Sequence, residues 1–316
     1  MTLFVIRRLG LLVGALFLSS IVIFVLLHLL PGDVARVLGG TEASPERIKA
    51  LRAELGLDRS FLEQYTDWIG GILHGDFGRS LLNNKSVLDE LTSKLTVTAP
   101  LVLFSSALAA VVAVPLGFVA AARHRRVDGV ALNVASQLGI AVPSFFVGLL
   151  LVVVVSVKWD LLPAQGFPTD GWDDPAEALR ALALPVITLA ISQGAVLFRF
   201  VRSAALDVIG QDYMRTARGW RLPALALYAK HMLPNLLTTA LTLSGIILTA
   251  LLGSALITEA VFAWPGLGGV IVQAIAIDKD YPVIRAAVFV VGVISLLITL
   301  VIDVILGIID PRTLGE

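Results

Sequence analysis

Apolar residues run along the chain in six long blocks, 9–30, 97–122, 129–157, 181–202, 236–258 and 286–309, separated by polar stretches of unequal length. A helix needs roughly 20 apolar residues to cross the hydrocarbon core of a bilayer. Each block reaches that length, and 129–157 holds 29 residues without a charge. Lipid offers the backbone no hydrogen-bond partners, so such blocks are predicted to be helices rather than strands. The fold class that follows is all-α, a polytopic membrane protein with six transmembrane helices. Pro115, Pro143 and Pro185 fall inside or at the start of blocks and predict kinks, either around a cavity or as tolerated packing bends. The uncharged stretch 260–277 is interrupted by Trp264-Pro265-Gly266-Leu267-Gly268-Gly269. It is expected to turn there and continue as a short interfacial or re-entrant helix.

The polar stretches set the orientation. With the N-terminus inside, the cytoplasmic parts carry twelve Lys and Arg residues, from Arg7 and Arg8 to Arg312. The two short outer loops carry four, Lys158, Arg180, Lys279 and Arg285. Positive charge stays preferentially on the cytoplasmic side, so both termini are expected there. The stretch 31–96 has eight more but is long enough to translocate regardless of charge. The first block, with Arg7 and Arg8 ahead of it, is too long for a signal peptide and is expected to remain as a span.

Local signals then organise the 31–96 stretch. Ser44-Pro45-Glu46 reads as a helix start and Gly56 as its stop. Ser60 and Glu63 have the spacing of a capping box. Phe61, Tyr65, Trp68, Ile69 and Ile72 recur at helical spacing. Two short helices are predicted, packed on the outer membrane face or on a neighbouring subunit. The chain divides into a first transmembrane helix at 1–30, an extracytoplasmic segment at 31–96, a transmembrane core at 97–309 and a cytoplasmic tail at 310–316. A cytoplasmic segment at 203–235 interrupts the core.

Composition narrows the chemistry. The chain is 57% hydrophobic and 15% charged, too little charge to cover a soluble domain of 316 residues. Its net charge is zero, which suggests no nucleic-acid partner. No cysteine is present, so disulfides and thiolate metal sites are excluded. His28, His74, His124 and His231 are scattered, with no H-E-x-x-H pairing. There is no G-x-S-x-G elbow and no G-x-x-x-x-G-K-[ST] loop. No catalytic residue and no metal ligand can be nominated, and any nucleotide chemistry must come from another chain. Asp303 is the one carboxylate well inside a span and is expected to pair with a basic residue on a neighbouring helix. One such residue and no clear inverted repeat argue against a secondary transporter driven by an ion gradient.

The connection 199–235 is the most informative polar stretch. It carries six basic residues against Asp207 and Asp212, and it is far longer than a helix hairpin needs. Its centre, Gln211-Asp212-Tyr213-Met214-Arg215-Thr216-Ala217-Arg218, reads as a short helix with an acid near its start. Composition alone would allow a positive loop resting on anionic lipid. The residues Asp212-Tyr213-Met214-Arg215-Thr216-Ala217-Arg218, however, resemble the cytoplasmic coupling motif of permeases of binding-protein-dependent ABC importers, in the dipeptide, oligopeptide and nickel branch. The resemblance runs nearly end to end. It includes Leu30-Pro31-Gly32-Asp33, the run from Leu51 to Asp58, Gly75-Asp76-Phe77-Gly78-Arg79-Ser80 and Pro143-Ser144-Phe145-Phe146. Near the C-terminus it includes Glu259, Trp264-Pro265-Gly266-Leu267-Gly268, Asp280-Tyr281-Pro282 and Asp310-Pro311-Arg312. The chain departs from the family at Arg221, where glycine is usual, and at Thr239, where proline is usual.

What the resemblance implies is specific. The fold would be that of a type I ABC importer permease in a bacterial plasma membrane. The chain would form half of a translocation path for peptides or similar small solutes, with nickel chelates, glutathione or haem as alternatives. Asp212, Tyr213, Arg215, Thr216, Ala217, Arg218, Arg221 and Leu222 would seat in an ATPase subunit, with Tyr213 and Ala217 together on the buried side. Pro143, Phe145, Phe146 and Glu259 would belong to the path or a gate. Partners would be a second, homologous permease, two ATPase subunits or domains, and an extracytoplasmic solute-binding protein. ATP and Mg would be bound by the ATPase subunits, and no cofactor by this chain.

Overall fold

In a computed structural model the described residues are 2–29, 34–40, 43–219 and 233–309. They are almost entirely helical. In chain order the α-helices are α1 Thr2–Leu29, α2 Val34–Gly39, α3 Pro45–Glu54, α4 Phe61–Leu73, α5 Val87–Ala122 and α6 Val127–Ala141. Then come α7 Ser144–Leu151, α8 Pro175–Ile209, α9 Asp212–Gly219, α10 Leu233–Val261, α11 Leu267–Gln273 and α12 Tyr281–Ile309. Two of them run on as π-helical turns, α7 through Val152–Lys158 and α11 through Ala274–Asp278. Five helices are long and apolar enough to cross a membrane: Leu3–Leu29, Val87–Ala122, Pro175–Ile209, Leu243–Val261 and Tyr281–Ile309. The pair α6 and α7 supplies a sixth if it is taken as one broken span.

That pair turns the kink expected at Pro143 into a full break of the third span. The chain bends by 99° between the two halves. Pro143 has no N–H to continue the ladder and forces the residue before it out of the helical region. Val142 is accordingly extended, at φ −86° and ψ 125°. Pro115 and Pro185, by contrast, stay inside the continuous helices α5 and α8. Both of those helices also begin well before their apolar blocks. Hydropathy finds only the apolar stretch, whereas the Asp174 side chain caps the backbone of Ala176 and Glu177 and starts α8 at Pro175.

The chain forms two compact units. One comprises residues 7–98 and 265–297. Here Ser44 caps α3 and Gly56 follows it at φ +66°. Ser60 and Glu63 form the reciprocal capping box at the start of α4. The Ser60 backbone N–H and hydroxyl hold the Glu63 carboxyl below the usual range. The aromatic face of α4 closes on the chain's own α1. Trp68 stacks on Phe24 at 5.7 Å, and Phe61 and Tyr65 meet the same ring edge-on at 5.0 and 5.4 Å. After the α4 turn, Asp76 Oδ1 accepts from the Gly78 N–H, and Ser80 donates to Asp280. The backbone N–H of Leu267 donates to Thr98 Oγ1 and so fastens the start of α11. This is the short apolar helix expected after the Trp264-Pro265 turn.

The other unit comprises residues 1–6, 99–264 and 298–316. Its centre is α8, where Leu182, Leu184, Leu189 and Leu197 are almost wholly buried. Helices here approach closely where glycine on one leaves room for the backbone or side chains of the next, as small residues do in membrane helix packing. At Gly117 of α5 a Cβ would lie 2.9 Å from the Phe198 carbonyl of α8. At Gly148 of α7 it would lie 3.1 Å from the Phe262 ring and 3.3 Å from Thr188.

Candidate coupling site and path

Helix α8 ends at Ile209, and its last turn supplies the seat for α9. Gly210 and Gln211 turn the chain with bonds back to the carbonyls of Leu206 and Val208. Asp212 then opens α9, and the Met214 N–H donates to Gln211 O. Met214 and Ala217, three residues apart, lie on one helix face. They are 0% and 4% exposed, packed with Ala121 of α5 and with Ala205 and Val208 of α8. Asp212, Tyr213 and Thr216 are exposed, Tyr213 by 38%. The Thr216 hydroxyl donates to the Asp212 carbonyl one turn back.

The arrangement corrects the expectation that Tyr213 and Ala217 share a side turned to a partner. Successive residues are about 100° apart around a helix. The buried face is therefore centred between Met214 and Ala217, and the exposed face is centred close to Asp212 and Gly219, with Thr216 about 50° to one side. Ala217 is small because it packs against this chain's own helices. Arg215 and Arg218 lie on α9, and Arg221 and Leu222 lie outside the described residues.

The residues expected in a path or gate occupy two environments. Pro143 stands at the 99° break. Phe145 and Phe146, just after it, are 43% and 47% exposed. Glu259 near the end of α10 is fully buried, and its carbonyl accepts the Trp264 N–H at 2.7 Å, closing the turn that follows. Phe262 and Gly148 belong to the residues that carry the resemblance but have no role in that reading; the Phe262 ring lies against Gly148, and its carbonyl accepts the Gly166 N–H. A buried aromatic between a broken span and a loop has no short-range signature. Among the described residues, no cluster of His, Cys, Asp and Glu could hold a metal ion.

A family described as the inner membrane component of binding-protein-dependent transport systems matches residues 113–315, and its companion, the N-terminal part of such components, matches residues 1–102. The chain belongs to this family. Over 309 residues it is 36% identical to the glutathione transport system permease protein GsiC of Escherichia coli strain K12, covering 98% of this chain and 97% of that one. GsiC of Shigella flexneri serotype 5b matches with the same identity and coverage. A chain of the methionine ABC transporter MetNI, solved in inward-facing conformations, superposes with a TM-score of 0.59. That match covers 70% of this chain and 96% of the other at 17% identity, which is a likeness of fold.

The protein is thus a multi-pass inner-membrane permease of a binding-protein-dependent ABC importer. Its family consists of membrane components rather than catalytic subunits. The type I permease fold read from the sequence stands, and the short helix expected around 211–218 is α9.

Proposed function

We infer that this permease passes small peptides, glutathione among them, through a path it forms jointly with a second, homologous permease. A solute-binding protein delivers the peptide from outside, and two ATPase subunits, which carry the ATP and Mg, drive the cycle from the cytoplasm. Both termini of the permease are cytoplasmic and 31–96 lies outside. The exposed face of α9, Asp212, Tyr213 and Thr216, seats in the ATPase, together with the arginines at 215, 218 and 221 and Leu222. The α8–α9 junction then transmits ATPase closure to the bundle as alternation between two access states. Pro143, Phe145, Phe146 and Glu259 take part in the path.

The observation that carries this reading is the division of α9 into two faces. One is locked into α5 and α8 by Met214 and Ala217, and the other is exposed. A lever needs both a fixed side and a contact side. For the solute, support comes from the near full-length likeness to permeases named for glutathione, itself a tripeptide.

The test is uptake of labelled glutathione and of a labelled dipeptide by cells carrying the complete gene set. Uptake should stop when the ATPase Walker lysine is replaced, and it should require the binding protein. Uptake that persists without the ATPase, or transport of nickel chelates or haem with none of either peptide, would contradict the proposal.

A further inference from the structure

The unit formed by residues 7–98 and 265–297 holds a cavity of about 340 Å³, lined in part by Glu54, Arg59, Asp67, Trp68, Asp76 and Arg285. Its charged groups differ in how they are satisfied. Arg59 pairs with Asp67 at 2.6 Å. Asp76 accepts the Gly78 N–H at 2.8 Å, and Glu54 stands 4.0 Å from Arg47. Arg285 forms no ion pair among the described residues, and its Nε is buried without a hydrogen-bond partner. Its guanidinium lies 5.5 Å from the Phe24 ring and 5.8 Å from the Trp68 ring. Rings attract a cation through their faces but leave its N–H groups unsatisfied. A planar guanidinium with free donors matches a carboxylate in two parallel bonds.

We propose that this cavity binds the free carboxylate of a small zwitterionic peptide at Arg285, with the peptide's ammonium group held by the acids at the rim. Glu54, Asp67 and Asp76 each retain acceptor capacity beyond their present bonds. The mixed charges choose among ligands. Three carboxylates repel phosphate and anionic lipid headgroups, and two guanidinium groups repel metal cations. A net-neutral molecule carrying both charges is favoured, and the volume suits a molecule of two or three residues. The site rests on the reading of the solute as a peptide, and would hold it beside the first turns of α12.

The experiment titrates the full-length permease in lipid nanodiscs, without binding protein or ATPase, with L-alanyl-L-alanine. Its C-terminal amide, its N-acetyl derivative and inorganic phosphate are titrated in parallel. The dipeptide should bind saturably, the amide at least tenfold more weakly, the N-acetyl form more weakly than the dipeptide, and phosphate should not compete. Arg285→Met should lose binding at least tenfold, and Arg285→Lys should retain part of it. If Arg285→Met fails to fold, the comparison of acid with amide on the unaltered protein decides. Absent binding, equal binding of acid and amide, competition by phosphate, or retention in Arg285→Met would overturn the proposal. Peptide uptake by the complete importer without this binding refutes the site alone. Binding without peptide uptake refutes the importer's solute and leaves the site.

Discussion

Ser80 Oγ donates a 2.6 Å hydrogen bond to Asp280 Oδ2 across 200 residues of sequence, and both side chains are buried. The same carboxylate oxygen accepts the Leu81 N–H at 3.2 Å. The loop after α4 is thereby tied to the start of α12. Removing one partner of a buried hydrogen bond leaves the other unsatisfied, at a cost of about 1–3 kcal/mol, more for a charged group. Ser80→Ala should lower the thermal unfolding midpoint of the purified permease. Asp280→Ala should lower it as well, because it strands the Ser80 hydroxyl and the Leu81 N–H. Equal, near-zero shifts would show that the tie is idle.

The approach of α5 to α8 predicts a contrast between glycines. Gly117→Ala places a methyl group 2.9 Å from a backbone carbonyl, so the helices must part. Overpacking of this kind costs about 1–3 kcal/mol. Gly14 of α1 has nothing within 4 Å of a built Cβ, so Gly14→Ala should be neutral or stabilising by up to about 1 kcal/mol. Unfolding in detergent measures both.

Orientation is testable because the chain has no cysteine to give background. Cysteines placed singly at Ser60 and at Arg312, which lies outside the described residues, are probed in intact cells with an impermeant reagent. Labelling is expected at 60 and not at 312. Labelling at both would mean an odd number of crossings.

Ala217 separates internal packing from docking. A tryptophan there has no space among Ala121, Ala205 and Val208. Ala217→Trp should therefore reduce the yield of folded permease before any ATPase is added, as size-exclusion profiles would show. An unchanged profile would place Ala217 on the free face instead.

The apolar blocks were legible because a span must bury every backbone group within itself, and so a 20-residue signal survives any tertiary context. The caps at Ser44 and Ser60 were equally legible, since each is a bond between residues three apart. The sharpness of the bend at Pro143 was not, because proline permits a kink without fixing its angle. The facing of α9 was hidden for another reason. Eight residues with alanine, methionine and tyrosine offer more than one apolar stripe, and which stripe is buried depends on α5 and α8. The seat of Arg285 between Phe24 and Trp68 joins three distant segments, and no local spacing announces it.

Coupling through the free face of α9 is tested most directly at Thr216, whose side chain is exposed and bonds only back to its own helix. Thr216→Trp leaves the buried Met214–Ala217 face untouched, so the permease should still insert and assemble. In the reconstituted complex, ATP hydrolysis stimulated by the loaded binding protein should fall at least tenfold. Full stimulation in Thr216→Trp, with normal assembly, would contradict coupling through this helix.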